Sequence, residues 1–318
     1  MAVLLATIHY KPFLVSILIL LVHFHITEAQ VGVCNGGVGD HLPSNQEVVD
    51  LYKSNGIGRM RMYAPNAEAL QALRGSNIEL VLDVPNDDLQ RLANDPAAAS
   101  QWVQDNVGNY YPDVKIRIIA VGNEVNPKAG FHCNILGTRK QPIPSSDGSF
   151  DGAAGSFMGP IIDFLKNTNN PLLVNIYPYF SRIGSPQDVS LPYALFTAPG
   201  VVVQDDQLQY RNLFDAMLDA AYAAVEKAGG PNVEIVVSES GWPSEGGDDA
   251  SLENAETYYT NLIDHVKAGS GSPRRPGNAI ETYLFAMFDE NQKPGAESEK
   301  HFGIFSPDKQ PKYQLNFN

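Results

Sequence analysis

Seven short apolar runs, rich in Val, Ile and Leu, recur along the chain with amphipathic stretches between them, and this alternation restricts the possible folds more than any other feature. The runs at 30–34, 59–63, 79–84, 116–122, 172–176, 234–237 and 280–285 read as strands of the kind buried on both faces. The stretches at 45–54, 67–74, 98–107, 159–166, 213–227 and 254–266 carry the helical period, and Ser44, Asn66 and Asn212 stand where N-caps belong. Repeated β-α units predict a parallel sheet covered by helices. A chain of 318 residues suits a closed eight-stranded barrel, which typically takes about 250 residues. An open doubly wound sheet is the competing arrangement. It is disfavoured because the glycines of VGVCNGGVGD, after the first strand, lack the spacing of a dinucleotide-binding loop.

A (β/α)8 TIM barrel needs eight strands, and the runs supply seven. The gap falls after 116–122, where residues 126–156 are dense in Gly, Pro, Ser and Asp and follow neither period. A structureless loop of that length is uncommon inside a compact domain. Either it is an insertion, or a helix and the fifth strand are missing around residues 128–157 and the α/β barrel is incomplete.

Residues 1–29 stand outside this pattern. Lys11 precedes the apolar run FLVSILILLV, too short to span a bilayer comfortably, and Thr27-Glu28-Ala29 follow it. This is the layout of a secretory signal peptide cleaved after Ala29, leaving 30–318 as a single barrel domain. An uncleaved anchor would call for a longer positive flank. The formal net charge of −14 opposes binding to nucleic acid or an anionic membrane and favours a neutral partner. The two cysteines, Cys34 and Cys133, allow one bridge or two free thiols, and no Asn-X-Ser/Thr glycan acceptor occurs.

In a barrel of this kind the working face is the C-terminal edge of the strands. Glu124 follows IRIIAVGN there, and Glu239 follows VEIVVS in the same way. A Glu at one strand end is more often a solvated cap than a catalyst. Two carboxylates at the ends of separate strands, however, are what glycoside hydrolysis requires: one protonates the leaving oxygen and the other attacks or activates water. The remaining histidines show no ligand spacing, so no metal or other cofactor is expected.

VGNEV at 121–125, NIYPYF at 175–180, VSESGWP at 237–243, LFAMFDENQK at 284–293 and EKHFG at 299–303 together resemble the plant endo-β-1,3-glucanases of glycoside hydrolase family 17. RMRMYAPN, SLPYALF and VVVQDDQLQYRNLFDAMLDA carry the likeness between those sites. The resemblance implies a (β/α)8 barrel and hydrolysis of internal β-1,3 bonds of glucans such as callose, fungal wall glucan and laminarin, with retention of configuration. It implies that Glu124 is the proton donor and Glu239 the nucleophile, about 5 to 5.5 Å apart, with Glu290, Lys293 and Glu299 as an auxiliary charged cluster. For Lys293 and Glu299 an ordinary surface ion pair is the bland alternative. Tyr63, Tyr177, Phe180 and Phe302 correspond to residues lining the cleft, and Asn123 to the contact with the sugar 2-hydroxyl. Trp242 is expected to brace Glu239 rather than touch sugar.

Three departures qualify the match. Asn35 replaces a usual Tyr, Ala64 replaces a common Asp, and the segment after NEVNP is shortened. The expected function is that of a secreted, monomeric cell-wall or defence glucanase. The alternatives are a glucan-binding relative impaired by the deletion, and a hydrolase with another β-glucan linkage preference.

Overall fold

The computed structural model of the protein describes residues 31–125, 145–150 and 152–318. The signal peptide, Cys133 and most of the shortened segment therefore lie outside the described residues. β1 (Val31–Asn35), β2 (Arg59–Met62), β3 (Glu79–Val84), β4 (Lys115–Val121), β5 (Leu172–Asn175), β8 (Ile235–Ser240) and β11 (Thr282–Leu284) form one sheet in the order β4-β3-β2-β1-β11-β8-β5. Every pairing within it is parallel. β1 bonds to both β2 and β11, so the first and last strands meet and the sheet curls as a TIM barrel does.

The helices follow their strands. α1 (Asn45–Ser54) opens on a capping box in which Ser44 and Glu47 bond reciprocally, and α2 (Ala67–Leu73) is capped by Asn66. After β3 come α3 (Asn86–Asn94) and α4 (Pro96–Val103), which ends in a π-turn at Gln104–Gly108. α5 (Gly152–Thr168) precedes β5, with α6 (Pro178–Gly184) and α7 (Leu191–Ala194) after it. A hairpin of β6 (Val203–Asp205) and β7 (Leu208–Tyr210) leads into α8 (Leu213–Lys227), capped by Asn212. α9 (Leu252–Lys267) leads into the short hairpin of β9 (Gly271–Ser272) and β10 (Arg275–Pro276).

Among the described residues no strand lies between β4 and β5, and both are edges of the sheet. Their side chains show the consequence. Leu80, Val81 and Leu82 of β3 are fully buried, whereas Ile119 and Val121 of β4 are 37% and 72% exposed. No residue of β5 is fully buried. Among the described residues the sheet is thus a curled, seven-stranded part of a barrel, consistent with the reading of an incomplete (β/α)8 fold.

Some boundaries differ from those read in the sequence. α5 begins at Gly152, inside the stretch read as irregular, because Ala154, Met158 and Ile162 recur every four residues and all bury. β8 runs on to Ser240, so Glu239 lies within the strand rather than past it. The polar α3, with no buried residue, gave no apolar signal.

Charged residues fill the lumen at the N-terminal end of the strands. Arg59 pairs with Glu79 at 2.8 Å and with Glu281 at 3.4 Å, and Arg117 on β4 reaches both Glu281 and, at 3.7 Å, Glu79. Glu281 adjoins β11, four places round the sheet from β4 on the far side of β1, so these pairs cross the interior.

Candidate active site

β8 brings Glu239 to the C-terminal mouth of the sheet, 5% exposed and among hydrogen-bond donors. Arg61 Nη1 donates to its Oε1 at 2.9 Å, and the Tyr63 hydroxyl donates to the same oxygen at 2.8 Å. The Tyr177 hydroxyl donates to Oε2 at 2.8 Å. Burial pushes the Glu239 carboxyl above its ordinary value; Arg61 and then the hydrogen bonds from Tyr177 and Tyr63 oppose that rise, while the charge of Glu124 adds to it. Burial and the adjacent Glu239 charge raise both phenols, which keeps them protonated as donors.

Glu124 enters from β4 on a turn with unusual backbone. Gly122 has φ of +86° and Glu124 itself +46°, a conformation a non-glycine residue adopts only under constraint. A Cβ at Gly122 would collide with Val125 and Leu89. The constraint on the turn comes from Asn86 at the start of α3, whose amide donates to Asn123 O at 2.7 Å and accepts from Asn123 N at 2.9 Å. Glu124 is exposed, and Asn175 Nδ2 donates to its Oε1 at 3.1 Å. The Asn175 amide is oriented in turn by Ser238 Oγ, which donates to Asn175 Oδ1 at 2.8 Å. Asn175 pairs with Glu239 in the register of β5 and β8, so one side chain ties the acid to the strand of the nucleophile.

The other sequence-selected residues take varied places. Phe285 sits in the middle of the aromatic group: its ring lies 6.3 Å from Tyr63, 6.4 Å from Tyr177 and 5.7 Å from Phe302. Phe302 is 2% exposed and packs behind Tyr177 and Phe180, so its ring backs the aromatic wall, while Phe180 is 39% exposed. Lys293 lies over the Phe285 ring at 4.3 Å and pairs with Glu299 at 3.0 Å, both half-buried. Glu290 is buried and accepts from Val38 N at 3.0 Å. Among the described residues no hydrogen bond joins Glu290, Lys293 or Glu299 to Glu124 or Glu239, so the cluster meets the pair through the aromatic wall. Trp242 is fully buried against Tyr179 and Tyr258, and its indole N–H donates to Asp249 O at 2.9 Å. Asn35 closes β1 half-buried, and Ala64 is exposed beyond β2. The Cys34 thiol is buried and donates to Ser238 O at 3.3 Å.

Arg61, Asp83, Asn175, Asn86 and Phe285 were not singled out from the sequence. For the first two, the charges within RMRM and ELVLDV gain their meaning only from the strand register. Arg61 pairs in register with Val81, and Asp83 lies two residues further along β3 on the same face, so opposite charges sit within two otherwise buried strands.

The family Glycosyl hydrolases family 17 matches residues 31–141 and 132–317. The two matches meet in the segment between β4 and α5. A glucan endo-1,3-beta-glucosidase of Vitis vinifera is 54% identical over 341 residues, covering 97% of this chain and 98% of that protein. That alignment is longer than the 318-residue chain, so the grape protein carries residues with no counterpart here. The basic vacuolar isoform GLB of the Nicotiana tabacum enzyme is 52% identical, over 96% of this chain and 90% of its own. Among solved structures, a beta-1,3-glucanase and allergen of Cryptomeria japonica pollen superposes with a TM-score of 0.84 at 42% identity, covering 91% of this chain and 99% of the other.

Proposed function

We propose that this chain, which belongs to glycosyl hydrolases family 17, hydrolyses internal β-1,3-glucosidic bonds of glucans with retention of configuration. The observation that carries the reading is the Glu239 side chain, buried yet supplied with three donors, together with the exposed Glu124 on a constrained turn at the same mouth. Glu239 Oε2 attacks the anomeric carbon as the glycosidic C–O bond breaks, and Glu124 passes its proton to the departing oxygen. Glu124 then takes a proton from water as that water displaces Glu239 from the glycosyl carbon. Arg61 and the two phenols hold the carboxylate ionised and aimed without covalent part in either step. Lys293 and Glu299 restrain the Phe285 ring on which the Tyr63 and Tyr177 rings rest, Glu290 anchors the loop through Val38, and Asn123 meets the sugar 2-hydroxyl. Phe180 offers an exposed apolar face to a sugar ring, backed by Phe302.

The substrate class we assign is neutral β-1,3-glucan, with callose, fungal wall glucan and laminarin as examples. The N-terminal signal directs the mature monomer to the extracellular space and cell wall, where it serves growth or defence. Purified mature protein and Glu239→Gln, assayed on laminarin for reducing sugar, test the reading. Hydrolysis lost in the variant supports it. Binding of laminari-oligosaccharides by the wild type without sugar release would replace the hydrolase with a glucan-binding protein.

A further inference from the structure

Arg61 on β2 is 1% exposed, and its guanidinium spends all five N–H groups on named acceptors. Nε and Nη2 meet the two oxygens of Asp83 at 3.3 and 2.7 Å. Nη2 also donates to Asn123 Oδ1 at 2.9 Å, while Nη1 serves Ser238 O at 3.1 Å and Glu239 Oε1 at 2.9 Å. Four strands or strand ends therefore converge on one planar group. Its plane is held from the side by the Tyr63 ring, 4.6 Å away. Asp83, itself 1% exposed, has no other hydrogen-bond donor among the described residues.

The arrangement has a consequence at Asn123. Its Oδ1 accepts from Arg61 and, at 3.4 Å, from Asn175, and its backbone N–H and C=O are both engaged by Asn86. Only the side-chain NH2 has no partner among the described residues. A primary amide beside a pair of carboxylates could otherwise turn either end outward, and an outward oxygen would accept where a donor is wanted.

We propose that Arg61, braced by Asp83, is the positioning residue of this site: it fixes Glu239 Oε1 on one side and, on the other, locks the Asn123 amide so that its NH2 is presented to a sugar hydroxyl. This rests on the glucanase reading for the identity of that hydroxyl, and on the hydrogen bonds alone for the hold on Glu239. A simple counter-ion could be replaced by any buried cation. A planar fork cannot, because one point charge does not reach Asp83, Asn123 and Glu239 in the same geometry.

Two readouts separate these roles in Arg61→Lys and Arg61→Met. The first compares kcat/KM for an aryl laminarioligoside with that for its counterpart lacking the 2-hydroxyl on the reacting ring. Wild type prefers the hydroxylated substrate, and Arg61→Lys loses at least tenfold of that preference because the amide is released to turn. The second is the carboxyl carbon-13 titration of Glu239, assigned by its loss in Glu239→Gln and needing no turnover. Arg61→Met, or Arg61→Gln where the Met variant does not fold, titrates at higher pH than wild type, because the cation that favoured the ionised form has gone. An undiminished 2-hydroxyl preference in Arg61→Lys overturns the amide lock, and an unmoved Glu239 titration overturns the hold on the carboxylate. A wild type that turns over no glucan but whose Glu239 titration responds to Arg61 would instead overturn the glucanase reading and leave the positioning role of Arg61 standing.

Discussion

Tyr177→Phe isolates one oxygen of the nucleophile. Glu239 Oε1 receives both Arg61 and Tyr63, but among the described residues Oε2 receives only the Tyr177 hydroxyl, at 2.8 Å. The substitution keeps the ring, and with it the contacts to Phe180 at 5.4 Å and Phe302 at 5.8 Å, so the wall behind the carboxylate should survive. What is lost is one hydrogen bond to a charged group, worth about 1.5–3 kcal/mol. At roughly 1.4 kcal/mol per decade, that makes the ionised carboxylate about 10- to 100-fold less favoured. Glu239 is already raised by burial, so its ionised form is lost as pH falls through that raised value. Removing a donor moves this acidic limb of kcat/KM to still higher pH. At a fixed pH below the limb, activity on laminarin should fall about 10- to 100-fold, with a much smaller loss on the alkaline side. Tyr63→Phe should move the limb less, because Arg61 remains on the same oxygen. Two complete pH profiles decide the matter. A Tyr177→Phe limb that overlays wild type, or a Tyr63→Phe limb displaced further, refutes the reasoning.

Other positions give independent checks. Trp242→Ala removes a fully buried indole, so a loss of about 3–5 kcal/mol and a melting point lower by roughly 10 °C or more are expected; an unchanged melt would refute the packing of that indole against Tyr179 and Tyr258. Gly36→Ala places a Cβ against the Glu290 carboxylate and should lower kcat while cooperative melting persists; unchanged kinetics would remove Glu290 from the working cluster. Asp219, fully buried against Ser272, Arg274 and Tyr210, is pushed up by burial to about 6. A carboxyl raised in the folded state adds stability at pH below its unfolded value and loses that contribution as pH rises through about 6. Denaturant unfolding at acid and neutral pH should therefore show this part of the pH dependence in wild type and not in Asp219→Asn.

The strands were legible because β-branched runs buried on both faces leave a dense local signal, and the two carboxylates were legible because each follows such a run. The packing of α5 could also have been read, since Ala154, Met158 and Ile162 keep a four-residue spacing, but the surrounding glycines masked it. Arg61 was hidden for a different reason. Within RMRM it shares a face with Arg59, and alternating charge in a short strand ordinarily marks a solvent-facing side. Only the curl of the sheet turns that face into the lumen, where one arginine meets Glu79 and the other Asp83. The ties from Asn86 to Asn123 and from Ser238 through Asn175 to Glu124 join residues far apart in the chain, and no local pattern encodes them.

The ion pairs across the lumen change what an opening in the wall means. A barrel secured only by its hoop of hydrogen bonds comes loose when one stave is removed, because strain travels round the circumference. Here Arg117 on the edge strand is moored to Glu281 on the other side of the bore, and Arg61 spans from β2 to β8 above it. These ties act as spokes beside the rim of strand pairings. The edge strand β4 is therefore tied to the far wall as well as to its neighbour β3.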